Sequence, residues 1–244
     1  MKVSFRKIYA PDQPCASFYH DPLLYREYSP DPSLAKYIFC YWTSPPDGID
    51  VDRFHEPSYE TIVPDSCVDI VFNITAGGIS SSVAGPFDIP FSIPVNLRYA
   101  KDFGVRFLLP DFFMFTGVSP HELINGSFNA RDIFGEGWSI IEERIFNAAG
   151  DEERVRILND SLPFFSKPFD KHETVMTRMF DSVFNTGGHI SATDIASAAD
   201  VSLRHLNRIC KELTGFNVKT VARIIRFQNF IRSYRSSSET GFSA

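Results

Sequence analysis

The sequence predicts an α+β fold, in which a β-rich N-terminal domain with flanking helices precedes a small all-α module. Three observations predict it. Short apolar runs separated by proline and glycine fill residues 1 to about 110, apolar residues recur at helical spacing after residue 110, and basic residues gather near the C-terminus. The 244 residues are 43% hydrophobic and 14% aromatic, which is enough for a real core in one large or two small domains.

The N-terminal part is predicted to form strands of a sandwich or barrel. Residues 37–42, 68–74 and 104–109 are short apolar runs bounded by turn-forming residues, as is typical of strands. The evenly spaced Pro86, Pro90 and Pro94 argue against a helix between them.

The part from about 111 to 186 is predicted to be helical. Four segments carry the helical pattern: residues 111–115, 120–124, 138–146 and 175–184. In the third of them Ile141, Ile145 and Ala148 fall on one face. The last segment runs into Gly187 and Gly188, which predicts a helix end and a hinge before the next module.

These patterns divide the chain into three parts. Residues 1–186 form the predicted sensory or dimerisation domain, with its helical part at about 111–186. Residues 189–235 form the all-α module, and residues 236–244, rich in serine, are predicted to be a flexible tail.

The charge is unevenly spread, although the chain as a whole carries −6. Residues 189–235 hold eight basic and three acidic residues, a net charge of +5, whereas residues 1–188 carry −10. A basic module on an acidic body is expected where only the module meets phosphate.

Several classes of protein are disfavoured. No stretch approaches the roughly 20 apolar residues of a membrane span, and residues 1–7 lack the apolar run of a signal peptide, so we expect a cytoplasmic protein without a membrane partner. The four cysteines are scattered without a CxxC pair, which favours reduced thiols over a disulfide frame or a zinc site. We therefore expect no metal and no cofactor.

The all-α module carries the functional signal. Ser191 is predicted to cap a first helix and Ser202 a second one, with a short turn at residues 200–201 between them. Two short helices joined by a tight turn are the helix-turn-helix geometry, in which the second helix lies in the major groove of DNA.

The second helix has two faces. Its apolar side chains are predicted to pack inward, whereas Arg204, Asn207, Arg208 and Lys211 share the opposite face. Arginine reads guanine and asparagine reads adenine, while lysine usually contacts phosphate. The alternative is a merely solvated polar face, but the caps, the small residues of the first helix and the charge contrast favour a face that reads DNA.

At this point the sequence resembles a known family. Ile195-Ala196, residues 201–216 and the basic segment 219–228 are similar to the first helix-turn-helix and linker helix of the AraC/XylS family of regulators. Val218 stands where that family usually has proline. The resemblance implies base reading at Arg204, Asn207 and Arg208. We expect Lys211, Lys219 and Arg223 to bind phosphates, and Ser202 and His205 complete the predicted DNA-binding set.

The upstream part also resembles a domain. Residues 63–73, Gly85-Pro86 and residues 104–107, 117–123 and 132–135 look like an uncharacterised N-terminal domain found in some AraC-type proteins. The family normally has two helix-turn-helices, and only nine residues follow Arg235. We therefore expect dimerisation on paired half-sites, weak DNA binding, or a truncated or degenerate relative.

Two weaker signals lie in the β-rich part. His55, Glu56, Asp65, Cys67 and Asp69 could form a metal or acid/base cluster, but their spacing fits no such site and a structural role is favoured. Arg106 lies within an apolar strand and needs a partner, for which Asp69 is the candidate. The pair is either structural or an anchor for an effector.

The leading hypothesis is a transcription regulator that binds DNA through a single helix-turn-helix and is controlled through its N-terminal domain. Its expected partners are double-stranded DNA, a small-molecule effector, a second copy of the chain and RNA polymerase. The alternative is a small-molecule-binding or interaction protein whose incomplete module no longer recognises DNA. An enzyme is not expected, because no nucleophile–base arrangement or phosphate loop is present.

Overall fold

The computed structural model describes residues 9–51, 58–167 and 172–240, and it has the predicted α+β architecture, with antiparallel strands followed by a helical region. The strands are β1 (Arg26–Tyr28), β2 (Ile38–Ser44), β3 (Ser58–Ile62), β4 (Cys67–Thr75), β5 (Gly78–Ala84), β6 (Phe91–Val95), β7 (Ala100–Leu108) and β8 (Ser127–Asn129). The helices are α1 (Asp111–Thr116), α2 (Ala130–Phe134), α3 (Trp138–Phe146), α4 (Asp151–Ser161), α5 (Glu173–Asn185), α6 (Ala192–Ala198), α7 (Leu203–Thr214) and α8 (Val218–Thr240).

The described strands form one six-stranded antiparallel sheet and one separate pair. The large sheet has the order β1-β2-β7-β4-β5-β8, and β3 pairs with β6. In the centre of the large sheet β4 runs antiparallel to β7, so that Asp69 lies opposite Arg106 and Asn73 opposite Asp102.

The two faces of the large sheet differ because side chains alternate along a strand. One face is apolar: Ile70 and Phe72 of β4, with Phe103 and Val105 of β7, are at most 1% exposed. Helices cover this face; the ring of Phe72, for example, stacks on Trp138 of α3 at 5.7 Å. The opposite face carries the polar residues of the same strands and meets β3 and β6.

One hydrophobic core extends from the sheet into the C-terminal helices. Its buried members run from Tyr41 of β2 through Phe180 of α5 to Leu206 of α7 and Ile225 of α8. The helices α6–α8 are therefore packed on the rest of the protein, and the division into separate domains stays a prediction.

The structure adds to the sequence predictions or differs from them at several places; for example, the predicted helix at residues 120–124 is a short 3-10 turn, and β8 lies in the part predicted to be helical. Helix α4 is not predicted by the patterns above. The glycine pair lies against α8, where a side chain on Gly188 would run into the carbonyl of Ala222; a hinge at this pair stays a prediction. Helix α8 continues to Thr240, past the predicted end at Arg235, and the hydroxyl of Ser236 donates to the carbonyl of Arg232 at 3.0 Å.

Two absences concern the described residues alone. None of their helices has the length and apolar character needed to cross a membrane. They also hold no cluster of three or more potential metal ligands, while His55 and Glu56 of the weak cluster lie outside the described residues. All four cysteines are free thiols, and burial raises the pKa of Cys210 to about 12.

Candidate nucleic-acid interface and ligand cavity

Helices α6 and α7 begin at the two predicted capping serines. The hydroxyl of Ser191 accepts a hydrogen bond from the backbone N–H of Asp194 at 3.1 Å, and the hydroxyl of Ser202 accepts one from the N–H of His205 at 3.2 Å. Asp200 in the intervening turn has φ of 58°, a left-handed conformation that aspartate tolerates. These local bonds fix where each helix starts and how sharply the chain turns.

The two helices are held together by small and apolar side chains. Ile195, Ala196 and Ala199 on one side and Leu206 and Ile209 on the other are at most 3% exposed. The alanines let the two backbones come close, and the buried leucine and isoleucine set the rotation of α7. The opposite face of α7 is thereby turned outward.

The outward face of α7 carries most of the predicted DNA-binding residues. Arg204, His205, Arg208 and Lys211 are all exposed. Arg208 pairs with Glu212 one turn later, with Nη1 to Oε2 at 3.1 Å. Among the residues that the structure describes, Arg204 and Lys211 have no ion-pair partner, so this face carries uncompensated positive charge.

Asn207 differs from its neighbours on α7. Its side chain is half-buried, and its Oδ1 accepts a hydrogen bond from the N–H of Val218 at 3.2 Å. Val218 is the first residue of α8, so Asn207 satisfies one of the free N–H groups at that helix start. Reading adenine takes both the oxygen and the nitrogen of the amide, and here the oxygen is already occupied.

Helix α8 adds a second basic surface. Lys219, Arg223 and Arg226 are exposed at helical spacing on one side, and they border an open groove together with Ser191 and Ile195 of the first helix. Arg223 lies 3.6 Å from the carboxylate of Asp88. Two of the predicted phosphate contacts, Lys219 and Arg223, therefore lie on one face of α8.

The helical module contacts the N-terminal part directly. Gly215, which ends α7 with φ of 79°, lies so close to Ile124 that a methyl group there would be 2.9 Å from a side-chain carbon of that residue. The end of helix α7 therefore packs directly against the N-terminal part of the chain.

The polar face of the large sheet forms the floor of a cavity of about 310 Å³. Gln13, Phe18 and Tyr19 of the N-terminal segment 9–20, together with the β3–β6 pair, line its other side. Its polar lining consists of Gln13, Asp65, Asp69, Asn73, Ser82, Asp102, Arg106 and Ser127, and its aromatic lining of Phe18, Tyr19, Tyr25, Trp42, Phe87 and Phe91.

Asp69 and Arg106 meet at one end of this floor, as the sequence predicted. The guanidinium donates from Nη2 to Asp69 Oδ2 at 2.8 Å and from Nε to Oδ1 at 3.0 Å. Its Nη1 donates to the hydroxyl of Tyr25 at 3.3 Å, and its centre lies 5.9 Å from the ring centroids of Tyr19 and Trp42. Burial lowers the pKa of Arg106, but the carboxylate of Asp69 together with the hydroxyls of Tyr25 and Tyr19 raises that pKa above its usual range.

Asn73 and Asp102 form a second polar pair at the other end. The amide of Asn73 donates to Asp102 Oδ1 at 2.7 Å. Burial raises the pKa of Asp102 above its ordinary value, and the bond from Asn73 offsets part of that rise. This carboxylate has no cation within ion-pair distance among the described residues.

Trp42 and Gly104 lie between the two polar ends. They face each other across β2 and β7, and the indole ring covers Gly104 so closely that no side chain fits there. The indole N–H of Trp42 is buried and has no hydrogen-bond partner among the described residues. The middle of the floor is therefore apolar, and the indole N–H is a donor without an acceptor among the described residues.

The N-terminal segment that lines the cavity also contacts α8. Gln228, fully buried, accepts from the N–H of Asp12 at 2.8 Å and donates to the carbonyl of Pro64 at 2.8 Å. Gln13 donates to the carboxylate of Asp65 at 2.8 Å. Two short segments, residues 12–13 and 64–65, therefore border the cavity and also contact helix α8.

Comparison with known proteins finds a similarity that covers the sheet and indicates no function. Residues 26–129 match a family described as a domain of unknown function (DUF6597), and this range runs from the start of β1 to the end of β8. No curated protein and no solved structure matches the chain. The predicted uncharacterised N-terminal domain is confirmed over these residues, and α6–α8 lie outside the match.

Sequence reasoning missed Asp102, Asn73 and Trp42. A signal for two of them was available: once Asp69 is paired with Arg106 across antiparallel strands, the same register places Asn73 opposite Asp102. Trp42 lies on a third strand, and nothing local indicates that its indole N–H stays without a partner.

Proposed function

We propose that this protein is a transcription regulator of the AraC/XylS type that binds double-stranded DNA through α6 and α7. The observation that carries the proposal is the outward face of α7, where Arg204, Arg208 and Lys211 are exposed on a helix fixed by the Ser202 cap and a buried apolar face. A rigid basic helix after a tight turn is the arrangement that enters the major groove.

The side chains divide between two tasks. Arg204 and Arg208 read base edges, since a guanidinium can donate two bonds to one guanine. Lys211, Lys219 and Arg223 bind phosphates, since α8 presents its lysine and arginine beside the start of α6. Asn207 acts as a cap for α8, because its side-chain oxygen is held by Val218.

In this proposal the N-terminal domain controls DNA binding through a bound ligand or a partner. The contacts of Gln228 with Asp12 and Pro64 support this assignment, because both segments border the cavity. A ligand that favours one arrangement of these segments would shift α8, and with it the orientation or dimer state of the DNA-binding helices.

The experiment is a fluorescence anisotropy titration against labelled duplexes selected from a random pool, over a range of salt concentrations. We expect saturable binding that weakens steeply with salt, with a log–log slope of about −0.9 for each phosphate contact. The triple variant Arg204→Gln, Arg208→Gln and Lys211→Gln should lose selected and nonspecific binding.

The matched control is Arg156→Gln, which removes an exposed arginine from α4. It should leave binding unchanged. If the wild-type protein binds no duplex at low salt, or if Arg156→Gln weakens binding as much as the triple variant, α7 is not a DNA interface.

A second candidate function is supported by the cavity. A protein whose helical module has lost DNA recognition could still bind a small molecule between the sheet and the β3–β6 pair. Absence of DNA binding together with saturable ligand binding would favour this alternative.

A further inference from the structure

The cavity on the sheet has an excess of acidic groups. Asp65, Asp69 and Asp102 line it against a single cation, Arg106. Asp65 is already occupied by Gln13 and by the N–H of Cys67 at 3.0 Å. The carboxylate of Asp69 is paired with the guanidinium of Arg106. Among the described residues, Asp102 accepts a side-chain hydrogen bond at Oδ1 alone, from Asn73, so its second oxygen is the one that a ligand can engage.

Arg106 is poorly placed to attract an anion. It is 5% exposed, its guanidinium is bound by Asp69 and Tyr25, and the rings of Tyr19 and Trp42 flank it. An anionic ligand would have to compete with the bound carboxylate of Asp69 and would meet the charge of Asp102.

The middle of the floor suits a flat apolar group. Trp42 and Val71 cover it, and Ile62 and Ile93 of the β3–β6 pair lie on the opposite side. The volume of about 310 Å³ lies at the lower end of the usual range for ligand sites, about 300–1,000 Å³, so it fits a molecule with one or two rings.

We propose that this cavity binds a small organic amine, whose ammonium group pairs with Asp102 and Asn73 and whose ring lies over Trp42. Aromatic faces attract cations as well as rings, which adds to the preference for an amine. Only the role of the amine as an effector rests on the proposed regulation of DNA binding; its binding to the cavity does not.

The distance between the polar ends sets the orientation of the ligand. Asp102 and Arg106 are four residues apart on β7, which is about 13 Å along a strand. A one-ring or two-ring amine anchored at Asp102 therefore reaches Trp42 and ends before the Arg106–Asp69 pair. That pair keeps its structural role with the ligand bound.

The test is isothermal titration calorimetry of the full chain with a matched set of probes. Tyramine and tryptamine carry the ring and the amine, whereas 4-ethylphenol lacks the charge and 4-hydroxyphenylacetate reverses it. We expect saturable binding of at least one amine and binding weaker by about tenfold or more for both controls, because a charge-assisted bond contributes about 1.5–3 kcal/mol.

The variant Asp102→Asn keeps the shape and the bond from Asn73 but removes the charge. It should weaken amine binding by about tenfold or more, while the exposed Asp132→Asn on α2 should leave it unchanged. A melting curve for each variant separates loss of binding from loss of fold. If Asp102→Asn does not fold, the probe series with the wild-type protein still tests whether the cavity prefers an amine.

Three results would overturn the proposal: no binding of either amine, equal binding of 4-hydroxyphenylacetate, or unchanged amine binding by folded Asp102→Asn. These measurements contain no DNA, so their outcome does not depend on whether the proposed function is correct. Adding the bound amine to the DNA titration then tests its role as an effector, with a change of at least about fivefold in DNA affinity expected from typical coupling energies.

Discussion

Two arginine–carboxylate pairs in this protein have similar geometry and different surroundings. Arg106 and Asp69 are 2.8 Å apart, with side chains 7% and 17% exposed, whereas Arg208 and Glu212 are 3.1 Å apart and 56% and 40% exposed. The first pair is enclosed by aromatic rings in the cavity wall, and the second lies in solvent on α7. Burial therefore decides which pair maintains the fold and which arginine is available to another molecule.

The largest expected effect is at the buried pair. Arg106→Met leaves Asp69 and Tyr25 without their partner and should lower the free energy of unfolding by about 3–5 kcal/mol, as measured by urea denaturation. The double variant Arg106→Met and Asp69→Met removes both charges and should recover most of the loss. Equal instability of the single and double variants would contradict the account of a mutually compensating pair.

The next effect is at the floor of the cavity. Gly104→Ala places a methyl group against the indole ring of Trp42, and overpacking of this kind costs about 1–3 kcal/mol. Because Trp42 must move toward the cavity, amine binding should also fall. Thermal unfolding and calorimetry measure the two effects, and Gly137→Ala, at an exposed glycine with open space around it, is the control.

Asn207 tests whether a polar residue on the basic face is structural. Asn207→Ala removes the acceptor for the N–H of Val218 and should cost about 1 kcal/mol, the usual cost of losing a helix cap. Asn207→Asp keeps the acceptor and should keep the stability. If both variants are as stable as the wild-type protein, the hydrogen bond to Val218 contributes nothing and base reading by Asn207 becomes tenable.

Asp102 links stability to pH, and its sign follows from its raised pKa. Between the ordinary carboxyl pKa and the raised one the folded state binds more protons than the unfolded state, so stability falls as pH rises through that window. The variant Asp102→Asn lacks this contribution. Its stability relative to wild type, measured by urea denaturation at several pH values, should therefore increase from acidic to neutral pH. Asp65 has a raised pKa as well, and the comparison of the two proteins cancels its effect.

The smallest expected effect on stability is at the exposed pair. Arg208→Ala should change the free energy of unfolding by less than about 0.5 kcal/mol, since an exposed i,i+4 pair contributes little. A loss of several kcal/mol in urea denaturation would mean that Arg208 is needed for the fold. A loss of DNA binding by this variant would then be no evidence for base reading.

The sequence predicted what depends on local patterns. Alternating and helical apolar spacing predicted β4, α3 and α7, and the lone charges in two apolar runs predicted the Asp69–Arg106 pair. Ser191 and Ser202 were predicted as caps because a cap depends on residues three positions away.

The remaining features depend on contacts between distant parts of the chain. The cavity requires the register of β2, β4 and β7 together with the placement of the β3–β6 pair, which no single run reveals. Asn207 was predicted to read DNA because its position on α7 faces outward by periodicity, whereas its bond to α8 depends on how the chain returns after Gly215. The packing of α8 against Gly188 could not be predicted for a related reason, because it comes from residues more than thirty positions downstream.

The central claim is that α7 reads DNA, and the specificity ratio of two single variants tests it most directly. Affinity for a selected duplex and for its scrambled counterpart would be measured side by side for wild type, Arg208→Ala and Lys219→Ala. We predict that Arg208→Ala loses about 1–3 kcal/mol on the selected duplex and little on the scrambled one, whereas Lys219→Ala weakens both and reduces the salt slope by about 1. Equal loss on both duplexes for Arg208→Ala, or no preference of the wild-type protein for the selected duplex, would contradict the claim.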